Sequence, residues 1–151
     1  RNMRNRRGFT LVEMMIAVVI LGIAAAVAVP SFLNMIQRNQ VASATNDLLA
    51  TMLAARSEAV KQEADIVVTE SGGWSAGWVV EDADGNQLVS HTTSHNDIVI
   101  TGSGAAVDGV TYRGNGRAAM TEDDYFTITL EDETRCLVFS TTGRPSVGEC
   151  P

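Results

Sequence analysis

The sequence is poor in cysteine, in proline and, beyond its N-terminus, in basic side chains. Two cysteines in 151 residues exclude a disulfide-dense scaffold and a four-cysteine zinc site. Three prolines with 45% hydrophobic residues exclude a disordered or collagen-like chain and indicate one domain, with at most an appendage. All 18 acidic but only 7 of the 11 basic residues follow Phe9, the opposite of the charge balance in a polyanion-binding domain.

Motifs of enzyme active sites are also missing. The sequence contains no Gly-x-Ser-x-Gly, no cysteine–histidine pair in a supporting context and no carboxylate pair that a pattern singles out. We therefore predict no catalytic residue, no cofactor and no enzymatic activity.

Two metal-site patterns are present but incomplete. His91 and His95 have the i, i+4 spacing of a helical metal site, but Thr92-Thr93-Ser94 between them favours a strand or loop. Asp82, Asp84 and Asn86 alternate like the start of a calcium loop, but Gly85 falls at the fourth loop position instead of the sixth, and Thr93 occupies the position of the final glutamate. We predict a hairpin turn here and no metal site.

A long apolar run dominates the N-terminal region. No polar side chain interrupts residues 14–29, and no charge lies between Glu13 and Arg38. Because a membrane-spanning helix needs about 20 predominantly apolar residues, residues 9–33 can span a bilayer if Glu13 is accommodated. The preceding basic cluster favours the cytoplasmic side and places the rest of the chain outside; it comprises Arg1, Arg4, Arg6 and Arg7.

Two interpretations of this run compete. A cleaved secretory signal would use Ala26-Val27-Ala28 as its small-residue site and leave an exported chain starting near Val29. A retained anchor would keep the whole run. The length of the run and the nearby Pro30 favour the anchor.

The residues around Glu13 carry a resemblance to a known family. A carboxylate at membrane depth needs a partner or a function. A basic leader ending in glycine is followed by Phe-Thr-Leu-Val-Glu and an apolar helix that contains Pro30. The chain here resembles the type IV pilin and pseudopilin superfamily, on the residues Arg6-Arg7-Gly8-Phe9-Thr10-Leu11-Val12-Glu13.

This resemblance implies processing and assembly. A prepilin peptidase would cut after Gly8, and Phe9 would become an N-methylated N-terminus. Glu13 would pair with the Phe9 amine of a neighbouring subunit, since two buried charges are tolerated only when each meets the other. The implied domains are a leader (1–8), a transmembrane and filament-core helix (9–36) and a periplasmic head (37–151).

The helical pattern continues past Pro30, where we expect a kink or a local break. From residue 37 to 64 apolar side chains recur at helical spacing and predict an amphipathic helix; they are Val41, Leu48, Leu49, Met52, Leu53, Ala55, Ala59 and Val60.

Strand-like segments follow at 66–69, 77–80, 87–90, 98–101, 110–112, 126–130 and 136–140. Asp84-Gly85 predicts a hairpin between the second and third of them. The fold class is α+β: a long N-terminal helix, membrane-spanning in its first half and amphipathic in its second, packed on an antiparallel β-sheet head domain.

The head is similar to that of the H-type minor pseudopilins and minor pilins (GspH, FimT and FimU proteins). The similarity rests on residues 55–60, 73–80, 84–86, 139–140 and 143–145. It implies a low-abundance subunit that helps to start a filament at its tip. The implied partners are other minor and major pilins or pseudopilins, the prepilin peptidase and N-methyltransferase, and the inner membrane before assembly.

The two cysteines and three arginines complete the candidate residues. Cys136 and Cys150 favour a disulfide if the head lies outside the cytoplasm; the alternative is two buried thiols. The Gly-rich stretch between Arg113 and Arg117 lacks the spacing of a phosphate-binding loop. These two residues and Arg144 are candidates for contact with a neighbouring subunit, and a solvated turn is the alternative.

Four functions remain open. The first is a minor type IV pilin, incorporated at the pilus tip to prime assembly. The second is an H-type minor pseudopilin of a type II secretion system. The third is a pilus-associated DNA receptor, against which the acidic head argues. The fourth is an exported soluble protein released by signal cleavage.

Overall fold

A computed structural model of the protein describes residues 9–93, 97–121 and 123–151. The chain divides into two compact units, one up to Ile36 and the other from Gln37 to Pro151. The described residues form one long α-helix, eight strands and a 3₁₀ helix, Gly104–Val107. In chain order the α-helix and strands are α1 (Leu11–Gln62), β1 (Ile66–Glu70), β2 (Gly77–Glu81), β3 (Gln87–Thr92), β4 (Val99–Gly102), β5 (Val110–Tyr112), β6 (Tyr125–Leu130), β7 (Glu133–Phe139) and β8 (Pro145–Gly148).

Helix α1 runs through Pro30 without interruption, so a local break at this residue was a wrong expectation. A proline removes one backbone donor, but neighbouring turns keep their hydrogen bonds, and apolar membrane-type helices tolerate the loss. A kink within the continuous helix stays a prediction. The helix ends where Glu63 adopts a left-handed conformation with φ of 53°.

The second half of α1 is amphipathic, as the spacing predicted. Seven of its residues are buried in the head: Val41, Ala44, Thr45, Leu48, Met52, Ala55 and Ala59. Leu53 and Val60, which were predicted to belong to the same face, are 43% and 51% exposed. They lie on one flank of the helix, where their apolar side chains remain accessible.

The head contains two antiparallel four-stranded sheets rather than the single sheet expected. Their strand orders are β3-β2-β1-β5 and β4-β6-β7-β8. Seven of the strands overlap predicted segments, but β8 was missed. Its sequence, Pro-Ser-Val-Gly, has the composition of a turn, and it becomes a strand because it pairs with β7.

The core of the head contains a cluster of aromatic side chains. Trp74 packs edge-on against Phe126 at a centroid distance of 4.6 Å, and Phe126 approaches Phe139 at 6.0 Å. Trp78 is also fully buried, and its indole Nε1–H donates to the Thr51 hydroxyl at 3.0 Å. This bond joins α1 to the first sheet.

Replacing Thr51 with valine should lower the free energy of unfolding by about 1–3 kcal/mol, the cost of leaving a buried donor without a partner. The donor left without a partner is the Nε1–H of Trp78, which bonds the Thr51 hydroxyl in the wild type. Thr51→Ser keeps the hydroxyl and is the matched control. Urea unfolding of the full chain in detergent measures both; equal losses in the two variants would contradict a role for the hydrogen bond.

Asp124 fixes the loop before β6. The residue is only 4% exposed, and its carboxylate accepts from the backbone N–H of Ala105 at 2.7 Å and of Thr121 at 2.6 Å, and from the Thr121 hydroxyl at 3.0 Å. Burial alone opposes ionisation of this carboxyl, but the hydrogen bonds outweigh it and hold the pKa of Asp124 below its usual value. The carboxylate therefore ties the 3₁₀ helix to the loop.

We predict that the head loses stability in acid because the Asp124 carboxylate becomes protonated. Because its pKa is lowered on folding, its contribution is complete above the ordinary aspartate pKa of about 3.9 and is lost as the pH falls through the lower folded value. Asp124→Asn should cost about 1–3 kcal/mol at pH 7 and should flatten the stability–pH curve below pH 4. Unfolding curves of both proteins between pH 2 and pH 7 measure this; an unchanged acid slope in the variant would contradict it.

Candidate subunit-assembly site

The N-terminus of α1 carries a reciprocal cap. The Thr10 N–H and hydroxyl both donate to Glu13 Oε2 at 2.8 Å, and the Glu13 N–H donates back to the Thr10 hydroxyl at 3.2 Å. This is a capping box, in which a threonine and the glutamate three residues later satisfy each other's backbone donors. Thr10 belongs to the motif that carries the family resemblance, but its role as a helix cap was not predicted, although the Thr-x-x-Glu spacing was visible.

The helix that follows is apolar on all sides. Residues from Leu11 to Leu33 are exposed, and an 18-residue window in α1 has a mean hydropathy of 2.6 with none of it buried. By length and composition, this is a helix that can cross a membrane. So large an apolar surface needs lipid or other subunits around it. Phe9 is described and exposed; Gly8, the other half of the expected cleavage site, lies outside the described residues.

Two of the three candidate arginines line one cleft in the head. Arg113 and Arg117 face an open cavity of about 480 Å³, together with Asn115, Thr121 and Thr141. Both arginines are exposed, and among the described residues no carboxylate lies within 4.0 Å of their guanidinium groups. Two exposed guanidinium groups at one open cleft have the chemistry to bind an acidic group.

Arg144 does not line this cleft but lies in the adjacent turn. The turn is closed by bonds from Gly143 N–H to the Ser140 carbonyl at 2.7 Å and from Arg144 N–H to the Ser140 hydroxyl at 3.1 Å. Gly143 has φ of 77°, and a Cβ there would lie 2.6 Å from the backbone nitrogen of Ala118. Only glycine allows this approach. The glycine of the Gly-Arg-Pro sequence therefore lets the turn pack against the loop that carries Arg113 and Arg117.

Cys136 and Cys150 form a disulfide with a Cα–Cα distance of 5.2 Å. Cys136 is buried on β7, and the bond ties the chain after β8 to that strand. The expected disulfide is confirmed. The bond closes the open end of the β7–β8 hairpin, at the opposite end from the Ser140–Arg144 turn.

The incomplete metal patterns have structural roles in the described residues. His91 stacks on Trp78 at a centroid distance of 4.3 Å, while His95 lies outside the described residues. Asp82 accepts from the N–H groups of Asp84 at 3.0 Å and Asn86 at 2.8 Å, which closes the predicted hairpin. Within ranges 9–93, 97–121 and 123–151, no three potential ligands cluster to hold a metal ion.

Comparisons with known proteins agree with this architecture. The model of the family described as type II transport protein GspH matches residues 44–143, and that of the prokaryotic N-terminal methylation motif matches residues 3–29. The crystal structure of the Pseudomonas aeruginosa type IV minor pilin FimU superposes with a TM-score of 0.64 at 28% identity, covering 74% of this chain and 90% of that one.

Relatives by sequence are fimbrial proteins. The Eikenella corrodens fimbrial protein EcpC is 32% identical over 122 residues, which cover 75% of this chain and 76% of that protein. A Pseudomonas aeruginosa fimbrial protein is 44% identical over 55 residues, but the match spans only 36% of either chain. The family and the fold are those of structural proteins. The chain therefore belongs to the GspH family of type IV pilin-like proteins, as a minor pilin of the GspH and FimU type.

Proposed function

We propose that this protein is a minor type IV pilin that is incorporated at the pilus tip and primes pilus assembly. The observation that carries the proposal is an apolar helix headed by Thr10 and Glu13 and continuing into a FimU-like head. The helix holds the subunit in the inner membrane before assembly. The head lies in the periplasm, where its disulfide is stable.

The domain boundaries follow from this function. Residues 1–8 are the leader, 9–36 the membrane and filament-core helix, and 37–151 the head. The prepilin peptidase cuts after Gly8, and Phe9 is N-methylated. Glu13 then pairs with the Phe9 amine of a neighbouring pilin and leaves its cap on Thr10 in exchange for a charged partner. Pro30 lies inside the helix at the level of the bilayer.

Mass spectrometry of the membrane-bound protein tests the processing steps. We expect an unreduced chain that starts at N-methylated Phe9 and contains the link between Cys136 and Cys150. A chain that starts near Val29 would favour cleavage by signal peptidase and an exported soluble head. A chain that keeps residues 1–8 would show that the pilin signal is not used.

An alternative function is a minor pseudopilin of a type II secretion system, favoured by the GspH family match over residues 44–143. Deletion of the gene distinguishes the two machines. Loss of twitching and of surface pili with normal protein secretion supports the minor pilin. Loss of secretion with normal pili overturns that proposal and leaves the pseudopilin.

The arginine cleft is the second assembly contact that we propose, with an acidic group of a neighbouring subunit as its ligand. Changing Arg113 and Arg117 together to alanine should lower incorporation into filaments about two- to thirtyfold, since exposed ion pairs contribute about 0.2–1 kcal/mol each. Arg38, which already bonds Glu133 at 3.3 Å within the chain, provides the matched control as Arg38→Ala. Quantitative blots of sheared pili measure both variants, and equal effects would contradict a specific contact.

The arginines of this cleft and of the adjacent turn provide a test of the DNA-receptor function. The head carries an excess of acidic residues, so phosphate binding would have to rely on the few arginines around the cleft. A gel shift with the full chain in detergent at physiological salt should show no binding. Strong, salt-sensitive binding that Arg144→Ala abolishes would favour the receptor.

A further inference from the structure

The two sheets have four edge strands, and three of these are short or protected. Strand β5 has three residues and forms a bridge from Tyr112 to Ala118. On β4, the N–H of Ile100 donates to the Ser75 hydroxyl at 2.8 Å. Strand β8 begins with a proline and is followed by the disulfide. Proline, short length and covered edges are the usual means of blocking strand addition.

The fourth edge, β3, has none of these features. It is six residues long with the sequence Gln-Leu-Val-Ser-His-Thr, contains neither charge nor proline, and is exposed at every residue except the half-buried His91. A strand of this kind presents unpaired backbone donors and acceptors to any extended chain that approaches.

The register identifies which donors are free. The Thr93 N–H donates to the Ala76 carbonyl at 3.1 Å, and the pairing continues with Thr92 opposite Gly77, His91 opposite Trp78 and Ser90 opposite Val79. Hydrogen-bonded and non-hydrogen-bonded pairs alternate in an antiparallel ladder. The N–H groups of Ser90 and Thr92 therefore point away from β2, toward the open edge.

An apolar groove of about 500 Å³ runs beside this edge. The small side chains Ala50 and Ala54 of α1 form one wall, Leu88 and Val89 of β3 the other, and Val80 the floor. Because the side chains of Ala50 and Ala54 are too small to fill the groove, it has room for apolar side chains from a strand that adds to β3.

The charges around the groove select the partner. The acidic side chains Glu81, Asp82 and Asp84 surround the hairpin at the start of β3, whereas the charge of Glu58, which lines the groove, is already paired. The nearby basic side chain, Lys61, already bonds Glu58 at 3.2 Å. An approaching segment is therefore favoured by a lysine or arginine at this end, whereas a second copy of this acidic head would bring like charges together.

We propose that β3 and this groove bind an extended segment of a neighbouring pilin subunit, which adds as a fifth strand to the sheet. The segment inserts apolar side chains into the groove and places a basic residue beside the hairpin. This inference rests on the proposed function, because it identifies a surface through which the head meets its neighbours in the filament.

Hydrogen exchange on the unmodified full chain tests the strand addition directly. In the detergent-solubilised subunit, the amides of Ser90 and Thr92 should exchange freely. In tip complexes purified from sheared pili, the same two amides should be protected at least tenfold. Free exchange in both samples, with the protein present in the filaments, overturns the proposal.

A proline variant provides the matching functional test. Ser90→Pro removes an N–H that β2 does not use, and proline is tolerated on edge strands, so the melting temperature should match that of Ser90→Ala. Incorporation of Ser90→Pro into filaments should fall about tenfold through loss of a main-chain hydrogen bond and steric blocking of the edge. Ser90→Ala keeps the N–H and should incorporate like the wild type. Equal incorporation of both variants overturns the proposal.

Two further outcomes separate this proposal from others. If the wild-type chain is absent from filaments altogether, the proposed minor-pilin function fails before β3 is tested. If the purified wild-type chain dimerises in detergent and Ser90→Pro abolishes the dimer in analytical ultracentrifugation, the occupant is a second copy, which overturns the assignment to a neighbouring pilin.

Discussion

Glu13→Gln should reduce the amount of this protein in filaments by about 100-fold or more. We propose that the Glu13 carboxylate pairs in the apolar filament core with the Phe9 amine of a neighbour. Breaking a buried ion pair by removing one partner costs about 3–5 kcal/mol, because the other charge is left without compensation, and 3 kcal/mol corresponds to roughly a 100-fold change in an equilibrium constant. Quantitative blots of sheared pili and of the membrane fraction measure the incorporated and unincorporated pools.

The cap on α1 makes a second variant necessary. In the isolated chain Glu13 accepts from the N–H and hydroxyl of Thr10, so its loss could act through the helix end alone. Glutamine keeps an acceptor oxygen for this cap but has no charge, whereas Thr10→Val removes the hydroxyl and keeps the carboxylate. We expect a large loss for Glu13→Gln and a small one for Thr10→Val. Equal losses would show that Glu13 acts as a helix cap and would contradict the charge pair.

The N-terminal half of the molecule could be predicted from the sequence because its determinants are local. The stretch from Gly8 to Glu13 is contiguous, and the apolar run that follows has the length of a membrane helix. Even the capping box, which was missed, is encoded within four residues. The uninterrupted helix at Pro30 could not be predicted with the same certainty, since a proline permits either a break or a kink.

The head was predictable at the level of strands but not of sheets. β-Branched runs with turn residues between them marked seven strands, whereas the division into two sheets depends on pairings between distant segments. Strand β4 pairs with β6, for example, with Val99 opposite Thr129. Strand β8 forms because β7 provides its partner, and in Pro-Ser-Val-Gly only the valine has a high β-propensity.

The arginine cleft shows the same limit. Its residues come from a loop near Arg113 and a turn near Thr141, which are brought together by the close approach of Gly143 to Ala118. Arg113, Arg117 and Arg144 were candidate contacts with a neighbouring subunit; the structure places the first two in one cleft and Arg144 in the neighbouring turn. Likewise, the groove beside β3 depends on which flank of α1 faces that strand, and its Ala50 and Ala54 lie outside the apolar face that the helical spacing predicts.

Cys150→Ser should lower the free energy of unfolding of the head by about 3 kcal/mol. The bond closes a loop with a sequence separation of 14 residues, for which the chain-entropy model gives a stabilisation of about this size. Cys150 is exposed, whereas Cys136 is buried. Cys150→Ser therefore removes the bond without burying a new hydroxyl, and it is a cleaner variant than Cys136→Ser. Urea unfolding of the full chain in detergent, with and without reductant, measures the effect.

Reductant provides the internal control for this prediction. The wild type should lose about the same 3 kcal/mol when it is reduced, and Cys150→Ser should be insensitive to reductant. Because β8 is an edge strand held on one side by β7 and at its end by the disulfide, its amides should lose exchange protection first, while those of β6 remain protected. If Cys150→Ser unfolds at the same urea concentration as the wild type, packing of β8 on β7 is sufficient to hold the C-terminal segment, and the prediction is wrong.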